Sequence, residues 1–158
     1  MRIALFRIAA LGLLALLAAP VAAQSEDHEH EHGAMHGSGE LDLQRPDDGK
    51  WASDASLRQG MSDLRKAFRP AHDAYRNDRF DAEQAAELAD AVEEAVNFMF
   101  ANCQLPADAD AELHKLLAAA LGAEKSLRES DDLHEGLHRL HRVLQAYGEH
   151  FEHPGWAG

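Results

Sequence analysis

Apolar residues recur every three or four positions in four successive stretches of the chain, and this spacing constrains the fold more than any other feature. In the first stretch, the steps alternate between four and three residues through Leu57, Met61, Leu64, Phe68, Ala71 and Tyr75. Such spacing places apolar side chains on one face of an α-helix. Residues 85–102, 113–121 and 133–151 repeat it, and no stretch alternates as a β-strand does. An all-α fold is therefore predicted.

Each stretch is preceded by a helix-start signal: Asp54, the capping-box pair Asp81 and Gln84, a start near residues 106–108, and the capping residues 130–132. Helices that are joined by such short turns pack as antiparallel neighbours. We therefore expect residues 51–158 to form an up-down-up-down four-helix bundle. Pro70 lies inside the first apolar pattern and predicts a kink or a break near Arg69.

The first 23 residues have the composition of a secretory signal peptide. Arg2 and Arg7 begin it, residues 8–17 are apolar or glycine, and residues 18–23 are small or apolar up to Ala23. The apolar run is shorter than the ~20 residues that a membrane-spanning helix needs. Cleavage after Ala23 and export to the periplasm are therefore predicted, with no membrane attachment after the signal is removed.

The charge balance narrows the choice of partners. The formal net charge is -13 for the whole chain, and removal of residues 1–23 takes away two arginines and no acid. So acidic a surface repels phosphate backbones, which argues against nucleic acid as a partner, and it attracts cations.

Residues 24–50 are predicted to form a flexible arm, because they are polar, rich in glycine and without apolar periodicity. Histidine alternates with acid in the first half of this arm, where the imidazoles are His28, His30, His32 and His36. Such a tract is a plausible loose ligand set for zinc, nickel or copper. The alternative is a solvated acidic tail that serves only solubility.

In an up-down-up-down bundle, the start of the first helix, the end of the second, the start of the third and the end of the fourth lie at the same pole. The potential ligands that this topology brings there are Met61, Met99, Cys103, His114 and His150. Thioether, thiol and imidazole together suit Cu(I), and thiol with imidazole also suits zinc. The alternatives are methionines that fill the core, a small buried cysteine and surface histidines.

The opposite pole is also rich in histidine, with His72 near the end of the first helix and His134, His138 and His141 in the fourth. Residues 134–138 read His-Glu-x-x-His, but the internal Gly136 and the lack of an obvious third ligand argue against zinc-protease chemistry. The chain also has no glycine-rich phosphate loop, no nucleophile elbow and no Cys-x-x-Cys-His tract. No catalytic activity is predicted.

Residues 56–64 resemble the first helix of cytochrome b562-type bundles. That resemblance implies an exported four-helix bundle in which Met61 and His150 are the axial ligands of a non-covalent haem b. Residues 102–106, Asn-Cys-Gln-Leu-Pro, together with Ala-Glu-Leu-His at 111–114, are also similar to small, poorly characterised exported bacterial proteins, which implies no particular activity.

The sequence thus favours a periplasmic copper- or zinc-binding protein that acts as a buffer, carrier or sensor. Two alternatives stay open. One is a b-type haem protein that transfers electrons through Met61 and His150. The other is a structural or interaction bundle without a cofactor, whose lone Cys103 pairs with another exported chain or in a homodimer.

Overall fold

The computed structural model describes residues 41–156. The predicted signal peptide, residues 24–40 of the arm, and the arm histidines His28, His30, His32 and His36 lie outside the described residues. Four helices make up most of the rest: α1 (Ala55–Arg76), α2 (Ala82–Asn102), α3 (Ala107–Glu129) and α4 (Leu133–His150). In this part of the chain, no helix combines the length and the apolar character that crossing a membrane requires.

The helices form the predicted antiparallel four-helix bundle. Each helix packs against the next along the chain, and α4 returns to pack against α1, which closes the bundle. The core between them consists of the predicted seams, and its largest fully buried side chains include Met61, Met99, Leu140 and Tyr147. The α1–α4 interface is the sparsest of the four.

The predicted helix starts are confirmed by hydrogen bonds. The Asp54 carboxylate accepts the main-chain N–H of Leu57 at 2.6 Å. Asp81 and Gln84 form a reciprocal capping box at the start of α2. Asp132 caps α4 through the N–H of His134. Local sequence therefore determines where three of the four helices begin.

The predicted break near Arg69 does not occur, because α1 runs continuously from Ala55 to Arg76 through Pro70. Proline cannot donate to the carbonyl of Lys66, four residues earlier. Both Lys66 and Pro70 are exposed, so water can satisfy that carbonyl. The buried face of α1 is then long enough to hold the helix together across the proline.

The sequence pattern predicts Leu121 as the last residue of the buried face of α3, and this prediction is wrong. The structure leaves Leu121 36 % exposed. Ala123 and Leu127 are buried instead, and they continue the row that starts at Leu113 and Leu116. Leu121 is larger and more apolar than Ala123, so the apolar pattern favoured Leu121 as a core residue.

Residues 41–50, which the sequence assigns to the flexible arm, pack against the bundle. Leu43 is buried in the core. The Nε1–H of Trp51 donates to the carbonyl of Gln44 at 2.7 Å, and the main chain of Trp51 pairs with the end of α4. The boundary at residue 50 is therefore corrected: the bundle includes a strap, residues 41–51, that crosses from α3 to α4.

The strap is fixed to α3 by Glu112, the one polar side chain that is buried among the described residues. Its carboxylate accepts the main-chain N–H of Gln44 and the ammonium of Lys115, both at 2.8 Å. Burial alone raises the pKa of Glu112, but the hydrogen bonds from Lys115 and Gln44 outweigh it and bring the pKa below its ordinary value of 4.5. The charged carboxylate therefore stabilises the fold.

The substitution Glu112→Gln should lower the free energy of unfolding at pH 7 by about 1–3 kcal/mol, since the buried amide cannot replace a charge-assisted acceptor. Because the pKa of Glu112 is lower in the folded state, its stabilisation is complete above the unfolded-state pKa and is lost as pH falls through the folded-state pKa. The difference between wild type and variant should therefore shrink below about pH 4.5. Urea unfolding at several pH values measures it. The exposed Glu87→Gln serves as the control, and a pH-independent difference would contradict this role.

Gly60 on α1 faces Met99 on α2 so closely that a Cβ atom there would lie 2.4 Å from the Met99 Cγ. The substitution Gly60→Ala should therefore destabilise the protein by about 1–2 kcal/mol, although alanine favours helix. Gly122→Ala is the matched control, because a Cβ there meets no atom within 4 Å. It should stabilise the helix by about 0.5–1 kcal/mol. Equal effects of the two substitutions in thermal unfolding would show that α1 and α2 are not closely packed at Gly60.

Candidate functional site

The predicted meeting of four helix ends at one pole is confirmed. The N–H of Gln104, just after α2, donates to the carboxylate of Asp54 at the start of α1, at 2.6 Å. The end of α4 joins the same region, because the N–H of Trp51 donates to the carbonyl of His150 and the N–H of Glu152 donates to the carbonyl of Trp51, both at 2.8 Å. Cys103 follows α2 directly, and α3 begins four residues later.

Cys103 is half-buried at this pole, and its main-chain N–H closes the last turn of α2 on Met99. Burial, then the negative charges of Asp54 and Asp110, and lastly a hydrogen bond with Asp54 raise the pKa of the thiol to about 12. The thiol is therefore protonated at neutral pH. A thiolate that is paired with a bound cation would not suffer the same repulsion from the two carboxylates.

His114 lies one turn after Asp110 on α3. The Nδ1–H of His114 is placed to donate to the carbonyl of Asp110 at 2.9 Å, and the same nitrogen lies 3.3 Å from the Asp110 carboxylate. The ring also packs against Phe100, with 5.5 Å between ring centroids. This arrangement leaves Nε2, on a side chain that is 54 % exposed, as the nitrogen that could bind a metal.

Asp110 thus acts on both Cys103 and His114, although neither it nor Asp54 is among the ligands predicted from the sequence. In the sequence, both aspartates are recognisable only as residues of a helix start. Their position could have indicated the site, because the start of α1 and the first turn of α3 lie at the pole where α2 ends.

The two methionines predicted as ligands do not lie at the surface beside Cys103 and His114. Met61 and Met99 are completely buried in the core. Met99 fills the space above Gly60, so its thioether is a packing group. The structure therefore brings Cys103 and His114 into one neighbourhood and keeps both methionine sulfurs inside the bundle.

His150 is half-buried at the end of α4. Its Nδ1–H is placed to donate to the carbonyl of Ala146 at 2.8 Å. The ring lines an open groove of about 500 Å³ that the strap and α4 form, and Met61 is not among the lining residues. Met61 is completely buried in the core, whereas His150 lies at this groove. Haem ligation by this pair stays a prediction.

His153 also has a structural partner, because its Nδ1 lies 2.8 Å from the hydroxyl of the buried Tyr147. Burial, followed by the positive charges of Arg58 and Arg65, lowers the pKa of His153. Burial raises the pKa of Tyr147. A neutral phenol that donates to a neutral imidazole is consistent with both shifts.

At the opposite pole, the two histidines of the His-Glu-x-x-His segment pack on an aromatic ring. Both histidines lie edge-on to Tyr75 of α1, with centroid distances of 4.8 Å for His134 and 5.5 Å for His138. Glu135 forms an ion pair with Arg139. Within residues 41–156, no group of three or more His, Cys, Asp or Glu side chains is already arranged around a metal position.

Comparison with known proteins gives no match: no protein-family model, no curated protein and no solved structure is significantly similar to this chain. The resemblance to cytochrome b562-type bundles therefore stays a prediction. The function has to be argued from the residues themselves.

The raised pKa of Cys103 makes a prediction about its reactivity. Because the thiolate is the reactive form, iodoacetamide should alkylate the folded protein at pH 8 at least ~10-fold more slowly than an unstructured cysteine peptide. The substitution Asp110→Asn removes one of the repelling charges and should speed the reaction severalfold. Mass spectrometry of timed samples measures both rates.

Asp108→Asn is the matched control, since Asp108 also lies in the first turn of α3 but is not among the charges that act on Cys103. It should leave the alkylation rate unchanged. A Cys103 that reacts as fast as the peptide in the wild-type protein would contradict the proposed environment of the thiol.

Proposed function

We propose that this protein is a periplasmic metal-binding protein, a buffer, carrier or sensor for copper or zinc ions that catalyses no reaction. The observation that carries the proposal is the position of Asp110, whose carboxylate acts on the Cys103 thiol and lies 3.3 Å from the His114 ring. A sulfur, an imidazole nitrogen and a carboxylate oxygen thus lie near the α2–α3 turn. Because no three such groups in residues 41–156 are already arranged around a metal position, an ion would have to draw these side chains together.

The donor set favours these two metals. Thiolate and imidazole are ligands for zinc, which also accepts carboxylate oxygen, and thiolate is the preferred ligand of Cu(I). Asp54 already accepts two main-chain N–H groups, from Leu57 and Gln104. Its contribution is therefore its charge, which attracts the ion, rather than a coordinate bond.

The location of the site also fits binding and release better than catalysis. Cys103 is half-buried, and the His114 side chain is 54 % exposed, so an ion could enter and leave without a change of fold. Open access suits a buffer or carrier. The arm would supply further weak ligands, because four histidines lie close to one another in its sequence: His28, His30, His32 and His36.

The proposal predicts that the mature chain, from residue 24, binds Zn(II) or Cu(I) through Cys103 and His114. Cys103→Ser and His114→Ala should each weaken binding by about tenfold or more when the four arm histidines are replaced by alanine, since each removes a coordinate bond. Competition against a chromophoric chelator under anaerobic, reducing conditions measures the affinity. His150→Ala is the control and should bind as the parent does.

Binding through Cys103 should also weaken steeply as pH falls, because the ion must displace the proton of a thiol whose pKa is about 12. If Cys103→Ser and His114→Ala both bind as the parent does, the site at the α2–α3 turn is wrong. If replacement of the arm histidines alone abolishes all uptake, metal binding belongs to the arm and not to the bundle.

A further inference from the structure

We propose a second metal site, formed by His72 of α1 and His141 of α4 toward the other end of the bundle, that binds Zn(II) or Cu(II) through imidazole nitrogen. It uses neither Cys103 nor the arm, so it stands or falls independently of the site at the α2–α3 turn. Both rings pack on Phe68, with centroid distances of 5.2 Å for His72 and 5.7 Å for His141.

The spacing of the two rings is that of ligands on one ion. Their centroids are 5.6 Å apart, with 46° between the ring planes. A zinc–nitrogen bond is about 2.0–2.1 Å long, so two imidazoles at a tetrahedral angle on one ion have centroids roughly 5 Å apart. The torsion that orients a histidine ring has broad minima, and small rotations would direct one nitrogen of each ring to a common point.

His141 is also in the protonation state that a metal ligand needs. Burial, then the neighbouring His72 and His138, lower its pKa. Its ring is therefore neutral at neutral pH and has a free lone pair. A divalent ion would interact favourably with the lone pair of this neutral ring.

At this pole, the pair His134 and His138 already contacts a tyrosine, whereas the pair His72 and His141 packs on a phenylalanine. His138 has its Nε2 3.3 Å from the Tyr75 hydroxyl, and His134 lies against the same tyrosine. Within residues 41–156, no hydrogen bond or ion pair to a protein group engages the ring nitrogens of His72 or His141. His138, one turn from His141, could become a third ligand by leaving Tyr75, and water would complete the coordination.

The position in the bundle gives the ion a structural effect. His72 and His141 face each other across the α1–α4 interface, which is the sparsest of the four. An ion between them would join the first and last helices and raise the stability of the folded state by mass action. Arg65, Arg69 and Glu149 line the same groove as His141, and the two arginine charges oppose the binding of a cation there.

The test uses the full mature chain in which the four arm histidines are replaced by alanine and Cys103 by serine, with Cu(II) as the probe. We expect one equivalent to bind and its electron paramagnetic resonance spectrum to show coupling to imidazole nitrogen. His72→Gln and His141→Gln, which keep a polar side chain of similar size, should each weaken binding at least tenfold. Far-UV circular dichroism verifies that both variants remain folded.

His134→Gln is the matched control, because it lies on the same helix but packs on Tyr75 rather than Phe68. It should change the affinity less than twofold. Three outcomes would overturn the proposal: no Cu(II) binding by the parent, unchanged binding by His72→Gln and His141→Gln, or loss of binding in His134→Gln. The last outcome would assign the ion to α4 alone. None of these three depends on whether Cys103 and His114 bind metal in the unmodified chain.

Discussion

A single carboxylate, that of Asp54, joins the parts of this protein on which its chemistry depends. It caps α1 through the N–H of Leu57 and accepts the N–H of Gln104 after α2, so the start of one helix is tied to the end of the next. The same charge lies beside Cys103 and contributes to the raised pKa of its thiol. A group that caps a helix thereby also contributes to the electrostatics of the candidate site.

The architecture could be predicted from the sequence because it follows from local rules. Apolar spacing identified the four helices, and Asp54, Asp81 and Asp132 marked where three of them begin. The short turns then indicated that neighbouring helices are antiparallel. Pro70 did not break α1, since an exposed carbonyl that loses its helical hydrogen bond can bind water instead.

Contacts between distant parts of the chain could not be predicted in the same way. The strap is fixed by Leu43 in the core and by the hydrogen bond between Gln44 and Glu112, which are 68 residues apart in sequence. No periodicity distinguishes Leu43 from other residues of a polar segment. The candidate site could also be predicted only in part. Topology placed Cys103 and His114 at one pole, but only the folded structure shows that Asp110 acts on both and that both methionines are buried in the core.

The two poles offer different chemistry for metal ions. One pole has a thiol, an imidazole and two carboxylates around the α2–α3 turn, a set that favours zinc or Cu(I) and competes with a tightly held proton. The other has imidazoles packed on aromatic rings between α1 and α4, which favours borderline divalent ions. The formal net charge of the chain, -13, attracts cations to the protein in general.

The most direct test of metal binding at Cys103 is zinc X-ray absorption spectroscopy of the mature protein, with the arm histidines replaced, loaded with one equivalent of Zn(II) at neutral pH. Binding through Cys103 should give one sulfur ligand at about 2.3 Å together with nitrogen or oxygen ligands at about 2.0–2.2 Å. A first shell of nitrogen and oxygen alone, with no sulfur, would contradict it.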